Sequence, residues 1–125
     1  MKSVTVLLIA NDAEATVICA ALAKCRGVRV TQARDAGHAI KMLAPAPAVV
    51  ISTAASTTKS ARELAETLQT RGIPFVVIAA GLSEKARQRA LAAGINEIHD
   101  RPGDWRAYSK LIDAVIRRFT GTSAT

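Results

Sequence analysis

The sequence predicts an α/β fold built from five βα units around a parallel sheet. Three observations carry that expectation. Short β-branched apolar runs alternate with longer segments of helical period along the whole chain. The first run, Val4-Thr5-Val6-Leu7-Leu8-Ile9-Ala10, is nearly continuous rather than alternating, as a strand covered on both faces requires. The chain has 125 residues, half of them hydrophobic but only 3% aromatic. That is one domain, with a core of Val, Ile, Leu and Ala.

The elements follow in order. Strand β1 covers 4–10, and Asp12 then caps a helix α1 over 13–24, with Val17, Ile18, Ala21 and Leu22 on one stripe. Gly27 ends it, and Val28-Arg29-Val30-Thr31 forms β2. Asp35 caps a second helix, α2, with Ala39, Ile40, Met42 and Leu43 apolar, and Pro45 and Pro47 stop it. Ala48-Val49-Val50-Ile51 is β3, and 52–60 reads as a polar loop. Helix α3 follows to about Thr70, with Leu64, Ala65 and Leu68 on one face; Gly72 and Pro74 punctuate.

Phe75-Val76-Val77-Ile78-Ala79 is β4. Ser83 caps α4, which runs to Ala93 with Gly94 just past it. Residues 95–99 form a weaker β5. Asp104 begins α5, with Trp105, Tyr108, Leu111, Ile112, Val115, Ile116 and Phe119 in register. Parallel strands need crossovers, so the helices pack on both faces of the sheet. The expected topology is flavodoxin-like, doubly wound, a (βα)5 chain of strand order 2-1-3-4-5. The domain spans 1–119, and 120–125 reads as a flexible C-terminal tail.

Composition narrows the class. Cys19 and Cys25 are too few and too close for a disulfide framework, and read as reduced thiols in a cytoplasmic protein. No apolar run approaches the roughly 18–20 residues that cross a bilayer. Asn11 and Asp12 break the first run too early for a secretory signal. Seventeen Lys and Arg against ten Asp and Glu give a net charge of +7, which favours acidic partners.

A ligand site in such a sheet lies at the carboxyl ends of the strands, near the switch point between β1 and β3. Strand 1 ends Ala10-Asn11-Asp12, strand 3 Ser52-Thr53, strand 4 Ala79-Ala80, and strand 5 His99-Asp100-Arg101-Pro102.

Several segments carry a family resemblance by their order and spacing. They are Val6-Leu7-Leu8-Ile9, Ala33-Arg34-Asp35-Ala36, Pro47-Ala48-Val49-Val50-Ile51, Ile73-Pro74-Phe75-Val76-Val77-Ile78, Ala90-Leu91-Ala92-Ala93-Gly94-Ile95-Asn96-Glu97, and Arg101-Pro102. The chain resembles the receiver domains of two-component response regulators over about residues 3–119. Members that accept a phosphoryl group hold Mg²⁺ on an acidic pair after β1 and use an Asp ending β3 as nucleophile. A Ser or Thr ends β4, and Lys-Pro follows β5. The metal needs hard oxygen ligands. The acyl phosphate needs a carboxylate to form and positive charge around its oxygens.

Carried over by position, the acidic pair falls on Ala10 and Asn11, with Asp12 one step later at the helix cap. The nucleophile falls on Thr53, or on Ser52 one residue earlier. The β4 hydroxyl falls on Ala79, the lysine on Arg101 and the aromatic switch residue on Ile98. The Pro and Gly usual after β3 are missing from 54–61. An amide and a hydroxyl do not strip water from Mg²⁺, and a hydroxyl cannot form an acyl phosphate. The resemblance therefore implies a degenerate receiver: fold kept, phosphotransfer lost, with no catalytic residues, bound metal or cofactor.

Arg101 reads as paired with Asp12 or Asp100. Thr53 and Ser52 read as strand-end hydroxyls bonded to backbone. His38 and His99 read as an exposed helix residue and a strand residue. Lys85, Arg87 and Arg89 in α4, with Ile98, Arg106 and Lys110, mark the α4–β5–α5 face on which receivers meet partners. With Arg101, Arg117 and Arg118, eight basic residues fall in this last third, but Glu84, Glu97, Asp100, Asp104 and Asp113 fall there too, so the local positive excess is three.

The expected function is a phosphorylation-independent protein-interaction module in two-component-type signalling, through a protein partner or self-association. Helix 1 is a second possible docking element. The alternatives are a phosphorylatable receiver with a shifted motif, or a basic α/β domain binding an anionic ligand or nucleic acid. Nucleic-acid binding finds little support, since helix-turn-helix, interleaved aromatics and Gly-rich basic motifs are all missing.

Overall fold

The β-branched runs pair into one five-stranded parallel sheet of order β2-β1-β3-β4-β5. The computed structural model describes residues 4–10, 27–53, 59–81 and 83–120. Its strands are β1 (Val4–Ile9), β2 (Val28–Ala33), β3 (Val49–Ser52), β4 (Phe75–Ala79) and β5 (Glu97–Asp100). Its helices are α2 (Ala36–Ile40), α3 (Lys59–Arg71), α4 (Glu84–Ala92) and α5 (Trp105–Thr120). The segment expected as α1, both cysteines, and residues 121–125 of the expected tail lie outside the described residues.

The alternation of a strand splits the core into two layers. Val6 and Leu8 of β1 join Val49, Ile51, Val76 and Ile78, and α5 covers them with Tyr108, Ile112, Val115 and Ile116. Leu7 and Ile9 face the other way, onto Val50, Val77, Leu64, Ala65 and Leu68 from β3, β4 and α3. The three central strands are buried on both faces, which is why they read as continuous apolar runs rather than alternating ones.

The expected caps form. Asp35 accepts from the His38 amide at 2.8 Å, Ser83 from Ala86 at 3.1 Å, and Asp104 from Ala107 at 2.9 Å. Each side chain satisfies an amide that a helix start leaves without an internal partner.

Four expectations are corrected at the element ends. Helix α2 ends at Ile40, before the Met42 and Leu43 that the sequence reading placed on it, because Lys41 and Met42 bond back to His38 and Ala39 in a tightened last turn. Strand β2 runs on to Ala33, since Gln32 and Ala33 keep register with Leu8 and Ile9. Ser52 belongs to β3 rather than to the loop; it pairs with Ile9 and Val77 and is buried. Strand β5 begins at Glu97, because Ile95 closes α4 by bonding Ala90 and Asn96 brackets Phe75. The Asn96 amide donates to the Phe75 carbonyl at 2.9 Å, and its Oδ1 accepts from the Phe75 amide at 2.9 Å.

Trp105 shares the stripe of Tyr108 and Ile112, as its spacing predicts, but is 42% exposed. It is the first residue of α5, and register alone does not bury it.

Candidate functional site

The carboxyl ends of β1, β3 and β4 converge through backbone bonds. The Thr53 amide donates to the Ile9 carbonyl at 3.2 Å, and its Oγ1 lies 3.5 Å from the same oxygen. Ala10 donates to the Ala33 carbonyl at 3.2 Å, and its own carbonyl takes Gln32 Nε2 at 2.6 Å. The Arg101 amide reaches the Ala79 carbonyl at 3.2 Å, carrying β5 past the end of β4. Ala10, Ser52, Thr53, Ala79 and Arg101 thus gather at one edge of the sheet, as the topology rule requires. Asn11 and Asp12 lie outside the described residues.

Among the described residues, the side-chain donors at the ends of β1, β3 and β4 are hydroxyls. Ser52 and Thr53 bring hydroxyl groups; Ala10 and Ala79 bring no side-chain ligand. Mg²⁺ favours carboxylate oxygens in an octahedral shell, and these four positions do not fit it. Among the described residues, no group of three or more His, Cys, Asp or Glu could hold a metal ion. Arg101 is an exposed residue. Asp100, one of the carboxylates expected beside it, holds Arg87 at 3.3 Å.

The expected partner surface divides. Arg87 is half-buried and turned onto β5: Nη1 donates to the Ile98 carbonyl at 3.0 Å and Nη2 to Asp100 Oδ1 at 3.3 Å. Ile98 is only 9% exposed and packs into the α3-side core, so it is a core residue and not a surface one. Lys85 and Arg89 are exposed and one turn apart on α4. They share the flank opposite Arg87, away from β5.

Arg106 and Lys110 are exposed too, on the side of α5 that carries Asp113 and Arg117. The side of α5 nearer β5 is marked by Arg118, which pairs with Glu97 Oε2. The basic residues that sequence order groups together therefore occupy separate surfaces. What lies between α4 and α5 is β5 with its charges already matched: Arg87 with Asp100, Arg118 with Glu97.

The spacing of Glu97 and His99, two apart on one strand, holds a contact that the sequence reading passed over. His99 Nε2 lies 2.7 Å from Glu97 Oε1, so Glu97 bridges His99 and Arg118. His38 is half-buried, and its Nδ1 accepts from the Arg34 amide at 3.2 Å. Both histidines serve local structure.

Among the described residues, no helix is long and apolar enough to cross a membrane. No family model and no curated protein matches the sequence. Solved structures do match it. The phosphorylated response regulator of a cyanobacterial phytochrome superposes with a TM-score of 0.80 at 17% identity, over 94% of each chain. The receiver domain of a Pseudomonas aeruginosa sensor histidine kinase, with magnesium coordinated in its active-site cleft, gives 0.72 at 19% identity, over 95% of this chain and 98% of that one. A Burkholderia multivorans response regulator gives 0.70 at 25% identity, over 92% and 95%. Across nearly its whole length, the chain has the doubly wound fold of response-regulator receiver domains.

Proposed function

We propose that this domain is a receiver-type module of two-component signalling that acts by protein–protein interaction without aspartyl phosphorylation, and is not an enzyme. One observation carries the reading. The β3 end presents Ser52 and Thr53, and the Thr53 amide and hydroxyl both turn back to Ile9. A hydroxyl there yields a phosphate ester at most, never the acyl phosphate of a receiver. Ala10 and Ala79 support it, since neither has a side chain that could ligate a metal or orient a phosphoryl oxygen. Arg101 keeps a positive charge beside the site but in a planar fork rather than an ammonium.

The module then works through fixed surfaces. Without a phosphoryl group to prefer one conformation, partner binding is governed by whichever surface the resting fold displays. The shape of β5 supports this role, because α4 and α5 are each tied to it by an arginine.

Incubation with radiolabelled acetyl phosphate and Mg²⁺ tests the reading directly. The expected result is no acid-stable, hydroxylamine-sensitive label and no amide shifts at Ala10, Thr53 or Ala79 with Mg²⁺ and beryllofluoride. Label abolished by Asp12→Asn would instead establish a phosphoacceptor with a shifted motif.

A further inference from the structure

The flanks of α3 and α4 that turn toward each other carry positive charge that no carboxylate of the described residues pairs. Their geometry is fixed at one end by a close approach. A Cβ added to Gly94 would lie 2.7 Å from Gln69 Oε1, so the Gln69 flank of α3 faces α4. Arg62 stands seven residues before Gln69, on that same flank near the start of the helix, and is exposed.

On α4, Arg87 reaches to β5 while Ala86 and Ala90 lie half-buried toward the sheet. The i, i+4 pair Lys85 and Arg89 is thereby left on the α3 side. Helix α4 has no fully buried residue, so its flanks stand open on either side of that alanine seam.

Charge pairing leaves these flanks positive. Arg87, Arg117 and Arg118 each meet a carboxylate. Arg62, Lys85 and Arg89 form no ion pair among the described residues, and Glu66 is the one carboxylate on the two facing flanks. Three exposed cations, two of them a helical turn apart, give these flanks a net positive charge.

We propose that the α3–α4 cleft, through Arg62, Lys85 and Arg89, docks an acidic protein segment whose carboxylates are spaced about one helical turn apart. This deepens the interaction reading above by giving the partner a chemistry, and it rests on that reading. A protein segment is favoured over nucleic acid for two reasons. The cations form a short cluster rather than a long stripe, and no exposed aromatic lies among them for bases to stack on. Complementary charge of this kind steers association and selects partners more than it adds affinity.

The test uses the full chain and two probes, poly-L-glutamate and a random DNA duplex, followed by amide chemical shifts and by affinity. Poly-L-glutamate is expected to shift amides on the facing flanks of α3 and α4. Lys85→Glu/Arg89→Glu should weaken its binding tenfold or more, and Arg62→Ser several-fold. Arg106→Glu/Lys110→Glu, which changes the net charge as much on another surface, should leave it within twofold. Three results overturn the proposal: no shifts on those flanks, equal loss from both double variants, or tighter binding of the duplex at the same residues. None of them bears on phosphorylation, so a failed cleft and a failed interaction module remain distinguishable.

Discussion

Arg87 is a charged residue working as a structural one. It reaches from α4 to the Ile98 carbonyl and Asp100, and α4 has no buried side chain with which to grip the sheet. Its side chain is 28% exposed and that of Asp100 71%, so solvent screens the ion pair to little value. The bond to the Ile98 carbonyl is the more protected of the two. Arg87→Ala should lower stability by about 1–2 kcal/mol and speed hydrogen exchange in α4 while leaving α3 unchanged. Equal loss of protection in both helices would show that Arg87 does not hold α4. Arg87 also shows how far sequence reading goes for a site. Its position and charge are plain from the chain, but whether it faces a partner or a carbonyl eleven residues away depends on helix phase and on where β5 passes. Ile98 makes the same point in the apolar direction, since a one-residue change of strand phase decides core or surface.

Among the elements, α2, α4 and α5 begin where the sequence says, while α3 starts at Lys59 within the expected loop. Asp35, Ser83 and Asp104 stand at N-caps because a short oxygen-bearing side chain satisfies an early amide. That rule acts over three residues, so it is visible in the chain itself. Ser83→Ala and Asp104→Ala should each cost about 1 kcal/mol. Their consequences should differ. The α5 variant should unfold cooperatively with the whole domain, because α5 supplies Tyr108, Ile112, Val115 and Ile116 to the core. The Ser83 variant should release α4 locally before global unfolding, since that helix adds no fully buried residue. Native-state hydrogen exchange against urea separates the two. A Ser83 variant that exchanges α4 only through global unfolding would count against a weakly held α4. The C-terminal ends are less legible. The tightened turn at His38 to Met42 and the use of Ile95 and Asn96 to close α4 and bracket Phe75 are contacts made across the fold.

Taken as a whole, the molecule is a sheet with two cores, one on each side. Ile112 lies in the layer under α5 and Leu68 in the layer under α3. Each is fully buried, so Ile112→Ala and Leu68→Ala should each cost about 2–5 kcal/mol. Because the sheet separates them, the double variant should lose the sum to within about 0.5 kcal/mol, read from urea denaturation. A larger departure would mean that the layers are coupled through the strands. The strand order and two-sided burial were legible in the sequence, because hydrophobic period and crossover handedness leave few topologies for five βα units. The gathering of Ala10, Thr53, Ala79 and Arg101 at one edge was legible for the same reason, as these residues follow their strands. The partner surface was not, because nearness in sequence does not say which flank of a helix a residue occupies. The chain by itself determined the layers, the starts of α2, α4 and α5 and the residues at the strand ends, all set by short-range periodicity and local hydrogen bonding. Only the tertiary structure decided that Arg87 and Ile98 turn inward, that Trp105 stays exposed, and that Lys85 and Arg89 stand in solvent. Each of those depends on helix rotation and on neighbours distant in sequence, which local periodicity does not encode.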